Sequence, residues 1–108
     1  GDDPVEATRH IAKANMLKPD DPAITDSLGW AFFLRGRTLE AIALLERAVA
    51  AEPREAVLSE HLGDAYWEAG RRIDARYAWQ AALAQTEVAS ETQRLRQKIA
   101  DGLPPRRK

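Results

Sequence analysis

The sequence predicts an all-α fold, a right-handed solenoid built from antiparallel helix pairs. The main observation is an internal repeat, because short motifs recur after 34 residues, an interval typical of stacked helix pairs. Within each repeat a Gly-Arg pair separates two amphipathic segments, as expected for a tight turn between helices. The recurring positions are Leu28-Gly29 with Leu62-Gly63, Gly36-Arg37 with Gly70-Arg71, Ala41 with Ala75, and Ala48 with Ala82.

The composition narrows the class of protein. The 108 residues include 16 basic and 17 acidic side chains, for a net charge of −1, so the overall charge favours neither nucleic acid nor a membrane surface. There is no cysteine, which excludes disulfides, thiolate metal ligands and cysteine nucleophiles and leaves the redox compartment open. No apolar run approaches the roughly 20 residues of a membrane span, and no secretory signal is recognisable. Because the chain opens with Gly-Asp-Asp and no methionine, we expect a fragment of a longer protein.

Residues 1–21 are predicted to contain the second helix of a truncated repeat. Asp3-Pro4 is a helix-start signal, and the helix is expected to end at about Leu17. Its apolar residues have the spacing of an amphipathic helix and align with those of the second helix in the next repeat. These residues are Val5, Ala7, Ile11, Ala14 and Leu17.

Residues 22–55 are predicted to form a complete repeat with helices at about 23–35 and 39–51. Gly36 ends the first of these helices, and Thr38 is expected to cap the second. The pattern repeats over residues 56–89, where we expect helices at about 56–69 and 72–85. The two repeats therefore account for four helices of similar length.

Two sites predict how the helices of a pair touch. Gly29 lies within a helix at a cost of about 1 kcal/mol relative to alanine, so we expect the backbone of another helix to approach closely there. Trp79 stands at the position that Leu45 occupies one repeat earlier. We expect this tryptophan to fill a wider gap near the end of the stack, although partial exposure fits the pattern equally well.

The last part of the chain predicts an end to the stack. Residues 90–102 are expected to form a capping helix that begins near Ser90, with Leu95 and Ile99 as its apolar seam. A polar-faced terminal helix of this kind covers the last apolar surface of a solenoid. Residues 103–108 are predicted to be a disordered tail, and the whole chain is predicted to be one domain.

These motifs resemble the tetratricopeptide repeat (TPR) family, whose unit is a helix-turn-helix of 34 residues. Two features depart from the family pattern: Thr25 and Ser59 stand where an aromatic residue is usual, and the second repeat closes with Glu87 instead of proline. The segment TDSLGWA, followed by HLGDAYW in the next repeat, also resembles the C-terminal repeats of proteobacterial TPR proteins, which are often exported or lipid-anchored. The sequence therefore does not decide whether the parent protein is cytoplasmic, periplasmic or lipid-anchored. The matching repeat-packing residues are Leu28, Gly29, Phe32, Ala41, Leu45, Ala48, Leu62, Gly63, Tyr66, Ala75, Trp79 and Ala82, with Pro53 closing the first repeat.

The resemblance implies that the first helix of each pair lines a concave groove that binds an extended or helical peptide. Three aromatic residues and four carboxylates among the predicted groove residues favour an aromatic partner or a basic, amine-bearing one. A simpler interpretation remains open, in which the aromatic residues pack within the fold and the carboxylates only face solvent. The predicted groove residues are Asp26, Trp30, Phe33, Leu34, Glu60, His61, Asp64, Trp67 and Glu68.

One known use of such grooves is disfavoured. TPR domains that clamp a C-terminal carboxylate use lysine, asparagine and arginine along the groove, whereas the matching positions here would repel or ignore a carboxylate. Those positions hold Asp26, Trp30, Val57, Glu60 and His61.

Nothing in the sequence predicts an enzyme, a metal site or a cofactor. His10 and His61 lie on different repeats without a paired ligand, and no catalytic triad, P-loop or metal-ligand spacing is present. We therefore predict a non-catalytic scaffold that binds a protein or peptide, with no nucleic acid partner and no membrane insertion. The alternative is a structural module that forms homo-oligomers through its exposed terminal helices or stacks on upstream repeats.

Overall fold

The computed structural model describes residues 21–105 together with Arg9. This part of the chain contains five α-helices and no strand, which confirms the predicted all-α helical-repeat solenoid. The predicted truncated repeat, apart from Arg9 and Asp21, and the predictions for residues 106–108 lie outside the described residues. The helices are α1 (Pro22–Leu34), α2 (Thr38–Ala51), α3 (Ala56–Glu68), α4 (Arg72–Gln85) and α5 (Ala89–Asp101).

Every helix begins and ends within one residue of the position that the sequence predicts, and the starts of the helices follow two patterns. The Asp21 carboxylate accepts hydrogen bonds from the amides of Ala23 and Ile24 at 2.9 and 3.3 Å, so α1 has a side-chain cap. The predicted cap of α2 is wrong, because Thr38 is already helical and Arg37 precedes the helix without a side-chain cap.

The turn within each pair is made by a glycine in the left-handed region. Gly36 has a φ of 79° and Gly70 a φ of 82°, which an L side chain rarely adopts. This conformation lets the next amide, that of Arg37 or Arg71, donate back to the helix carbonyl of Phe32 or Tyr66 at 2.9 Å. These bonds satisfy carbonyl groups that the helix end would otherwise leave without partners.

Each helix packs against its neighbours in the chain, most extensively α1 against α2 and α3 against α4. Two apolar clusters result. The first joins α1, α2 and α3, and the second joins α4 and α5 around Trp79 and Leu95, which are fully buried. Trp79 is therefore a core residue with no partial exposure. Ten of the twelve predicted repeat-packing residues are buried, and Phe32 and Tyr66 are half-buried.

The close approach at the helix glycines differs from the prediction in one respect. A Cβ atom at Gly29 would lie 2.9 Å from Cγ of Leu45, and one at Gly63 would lie 2.4 Å from Cδ1 and Nε1 of Trp79. The nearest atoms at both glycines thus belong to side chains of the second helix and not to its backbone. The glycine and the large residue are matched in both repeats, because Leu45 and Trp79 occupy equivalent positions.

The C-terminal end is packed further than the sequence predicts. Leu103, the first residue of the predicted tail, is half-buried and packs against the cluster around Trp79 and Leu95. Ile99 contacts the same cluster, as expected for the apolar seam of α5. The predicted start of α5 at Ser90 lies one residue late, because the helix begins at Ala89 without a side-chain cap.

Candidate functional site

The first helices of successive pairs, α1, α3 and α5, bring the predicted groove residues together. Between α1 and α3, the Nδ1 atom of His61 donates to Oδ1 of Asp26 at 2.9 Å. The indole of Trp30 stacks on the His61 ring, with 4.0 Å between centroids, and on Phe33 at 4.7 Å. The Trp30–His61 stack and the Asp26–His61 hydrogen bond therefore join the two helices, and Phe33 extends the stack within α1.

Between α3 and α5, the contacts are ionic. Glu60 accepts hydrogen bonds from Nε and Nη2 of Arg94 at 2.8 and 2.7 Å and from Nζ of Lys98 at 2.7 Å. Burial alone would raise the pKa of Glu60, but the hydrogen bonds and charges of Arg94 and Lys98 lower it to about 2. This carboxylate is therefore ionised and fully paired within the chain.

Asp64 lies deeper in the same network. Its Oδ1 accepts from the indole Nε1 of Trp79 at 2.9 Å and from Nζ of Lys98 at 3.0 Å. Burial raises the pKa of Asp64, and the nearby Lys98 charge opposes that shift without reversing it. Among the described residues, no buried polar side-chain atom lacks a hydrogen-bond partner. Glu60 and Asp64 therefore fix the register of α5 on α3.

Arg94 and Lys98 are the residues that the sequence analysis missed. Each stands 34 residues after the carboxylate that it pairs with, Arg94 after Glu60 and Lys98 after Asp64. Extending the repeat alignment into the capping helix would have placed opposite charges at equivalent positions of adjacent helices. Such pairing between neighbouring repeats was the signal that could have predicted the network.

Trp67 packs within the C-terminal end of the fold. Its ring lies 5.6 Å from that of Trp79, and the guanidinium groups of Arg72 and Arg76 lie over it at 4.6 and 5.2 Å. A Cβ atom at Gly102 would lie 2.1 Å from the Trp67 ring. The indole therefore rests directly on the backbone that ends α5.

The structure thus divides the nine predicted groove residues into two groups. Five are tied into the fold. Phe33 is buried in the core, Glu60 and Asp64 are buried ion-pair partners, and Trp67 supports the C-terminal end. Asp26 is also buried and is hydrogen-bonded to His61. Access to a partner is greatest at Trp30, His61 and Glu68, which are half-buried, and at Leu34, which is exposed.

The described residues also bear on two other classes of site. In this part of the chain, no group of three or more His, Cys, Asp or Glu side chains could hold a metal ion. None of the helices in residues 21–105 is long and apolar enough to cross a membrane.

The fold and these contacts define an α-helical repeat protein whose successive first helices are joined by polar and aromatic contacts. No protein-family model matches the chain. A curated protein of Pseudomonas aeruginosa, named as TPR repeat-containing, is 46% identical over 44 residues, which are 41% of this chain and 8% of that protein. The chain is therefore related to the TPR proteins and matches less than a tenth of the length of this relative.

Proposed function

We propose that the chain is a non-catalytic protein-protein interaction module that binds a peptide or protein segment on the face of α1 and α3. The observation that carries the proposal is the half-buried Trp30, held in place by its stack on His61. A rigid aromatic side chain that keeps part of its surface accessible is a common anchor in protein recognition. TPR repeats are generally non-catalytic, which agrees with this proposal.

Apolar surface extends from the stack along both helices. Leu34 lies one turn after Trp30 on α1, and Val57 lies one turn before His61 on α3, so each pair shares a helix face. Both aliphatic side chains are exposed. We call Trp30, Leu34, Val57 and His61 the Trp30 platform, and we propose that it takes an aromatic or aliphatic side chain of the partner.

Charge contributes little to this proposed site. Asp26 is bonded to His61, and Glu60 and Asp64 are paired with Arg94 and Lys98. A basic partner would have to displace Arg94 and Lys98 from partly desolvated positions. Its own charge would only replace the ion-pair energy lost in this way, so the exchange would add little affinity. We therefore favour the aromatic part of the predicted partner chemistry over the basic part.

A peptide panel tests the proposal. Labelled ten-residue peptides in a Gly-Ser background would carry a central Trp, Phe, Leu or Lys pair, and fluorescence anisotropy would report their binding to the 108-residue chain. We expect the aromatic and aliphatic pairs to bind and the lysine pair to bind weakly. Trp30→Ala should weaken binding about tenfold, the loss expected for an aromatic anchor. Leu39→Ala is the control, because Leu39 is an exposed apolar residue that lies on α2, away from the platform.

Thermal unfolding of both variants separates binding from packing. If Trp30→Ala binds as well as the parent protein, or loses affinity only because it unfolds, the platform is packing surface and the proposal fails. The alternative function, self-association through terminal helices, rests on the predicted helix of residues 5–17, which apart from Arg9 lies outside the described residues. Sedimentation velocity over a range of concentrations would detect it as a monomer-dimer equilibrium, and a strict monomer would remove it.

A further inference from the structure

A shallow cleft runs along α4, on a different helix from the Trp30 platform. Its volume is about 220 Å³, and it is lined by Ile73, Arg76, Tyr77 and Gln80. These residues follow steps of three and four, so they lie along one face of the helix. Ile73 is 72% exposed and Tyr77 is 68% exposed. Two large apolar side chains that remain exposed side by side are a feature of interaction surfaces.

The charge beside this cleft is positive. Residues 71–80 contain three arginines and one aspartate, and Asp74 is already bonded to Arg71 at 2.9 Å. Arg72 and Arg76 have no carboxylate within 4.0 Å among the described residues. The positive charges of Arg72 and Arg76 are therefore available to a binding partner.

Two cation–π contacts and one hydrogen bond hold these guanidinium groups in place. Both lie over the ring of Trp67, at 4.6 and 5.2 Å, and Nε of Arg76 donates to the carbonyl of Ile99 at 2.9 Å. The remaining N–H groups of each arginine are left for a ligand, and an ordered arginine loses less entropy when it binds a carboxylate.

We propose that this cleft, the Ile73 cleft, docks a short acidic peptide segment by an apolar anchor. A leucine or phenylalanine of the partner would lie between Ile73 and Tyr77, and flanking carboxylates would accept hydrogen bonds from Arg72 and Arg76. The volume is below the roughly 300 Å³ at which small-molecule pockets begin, and it suits one anchoring side chain.

The preceding repeat shows which part of this surface is specific to α4. Leu39 occupies on α2 the position of Ile73 and is also exposed. However, Ile42 and Ala43 stand there in place of Arg76 and Tyr77. The two repeats therefore share the exposed aliphatic residue, and α4 alone adds the aromatic ring and the cation.

A lipid surface is a weaker fit than a peptide. Helices that lie on membranes present a continuous apolar face with several cations beside it. On α4 the apolar surface is limited to Ile73 and Tyr77, and the next position of the stripe is the polar Gln80. A small cleft with two ordered arginines matches one anchor and its neighbouring carboxylates.

Three fluorescein-labelled hexapeptides would test the proposal by anisotropy with the 108-residue chain: EELFEE, its charge reversal KKLFKK, and EEAAEE without the anchor. We expect EELFEE to bind with an affinity that falls as salt is added, and the other two to bind at least tenfold more weakly. Ile73→Asp should weaken the binding of EELFEE about tenfold. Leu39→Asp, at the equivalent exposed position, should change it less than twofold, and the part of the binding that depends on Ile73 should persist in Trp30→Ala. Circular dichroism would verify that each variant stays folded.

Several results would overturn this proposal. They are the absence of Ile73-dependent binding of EELFEE at millimolar concentration, equal Ile73-dependent binding of KKLFKK, and equal losses in Ile73→Asp and Leu39→Asp. Binding to vesicles of anionic phospholipid that depends on Ile73, without peptide binding, would assign the cleft to a membrane instead. A dimer that Ile73→Asp dissociates, seen by sedimentation without peptide, would assign it to a second copy of the chain.

Discussion

Replacing Glu60 by glutamine should make the fold less stable at neutral pH and less sensitive to acid. The Glu60 side chain is only 8% exposed and pairs with Arg94 and Lys98. Burial raises the pKa of Glu60, but the two cations lower it overall from 4.5 to about 2. Because the folded-state pKa is below the unfolded-state pKa, ionised Glu60 stabilises the fold above pH 4.5. That contribution is lost progressively as the pH falls toward 2.

The magnitude follows from the size of this shift. One pKa unit corresponds to about 1.4 kcal/mol, so the full shift would correspond to about 3 kcal/mol. However, the Arg94 side chain is 47% exposed, and solvent screening weakens an ion pair of this kind. We therefore expect Glu60→Gln to lower the free energy of unfolding at pH 7 by about 1–2 kcal/mol. At about pH 3 the difference from the parent protein should be less than half as large.

Urea unfolding followed by far-ultraviolet circular dichroism at both pH values would measure this difference. Glu40→Gln is the matched control, because the ion pair of Glu40 with Arg37 is half-exposed and should contribute little at either pH. Burial raises the pKa of Asp64, so its protonation favours the folded state in acid and acts in the opposite direction. This effect is common to the parent protein and the variant and largely cancels in their difference. Equal acid-induced losses of stability in both proteins would refute the reasoning.

Two further predictions concern the packing between helices. Gly63→Ala should lower the free energy of unfolding by about 1–3 kcal/mol, because its Cβ would lie 2.4 Å from the indole of Trp79. Gly29→Ala should cost less, since its Cβ meets the more flexible side chain of Leu45 at 2.9 Å; chemical denaturation would compare them, and equal costs would contradict this. Trp67→Ala should lower the melting temperature markedly and cost about 3 kcal/mol, because its ring supports the end of α5. An unchanged melting temperature in that variant would show that the tryptophan is not a packing residue.

The repeat pattern predicts the helices well because residues at equivalent positions pack in the same way in both repeats. Leu28 and Leu62 recur at the core side of α1 and α3, and both are buried. The glycine turns fix the chain reversals through their backbone conformation, which no other residue type adopts as easily. Boundaries that depend on these two features therefore follow from local sequence alone.

The contacts of the candidate site were harder to predict. A stripe with Glu60, Asp64 and Trp67 is equally compatible with an open groove and with a covered one, since all three positions face the same side of α3. Whether the groove is open or covered depends on which residues of α5 lie opposite these three positions. That depends on the register between α3 and α5, which are separated in the chain by the whole of α4. The apolar seam of α5 predicts that it packs, but it does not state which polar residues meet α3.

The two sides of α5 differ in whether they keep the residue pattern of the repeat. The side that packs against the stack keeps it, and the opposite side does not. Arg96 stands at the position of Leu28 and Leu62 but is exposed, because no further helix of the described residues packs there. Leu95, by contrast, takes the place of His61 and is fully buried. The helix has therefore become polar only where the stack stops, while Arg94 and Lys98 continue the contacts between first helices.

The contacts along the face formed by α1, α3 and α5 therefore differ in kind between its two halves. The contact between α1 and α3 is aromatic and leaves part of Trp30 accessible, whereas the contact between α3 and α5 is ionic and satisfies Glu60 and Asp64. Removing Lys98 would not open an acidic binding site, because it would leave Asp64 partly desolvated without its cation and Glu60 with Arg94 alone, and it would loosen α5 instead. A partner that binds this face should therefore contact its α1–α3 half, where recognition does not compete with the contacts that hold the last helix.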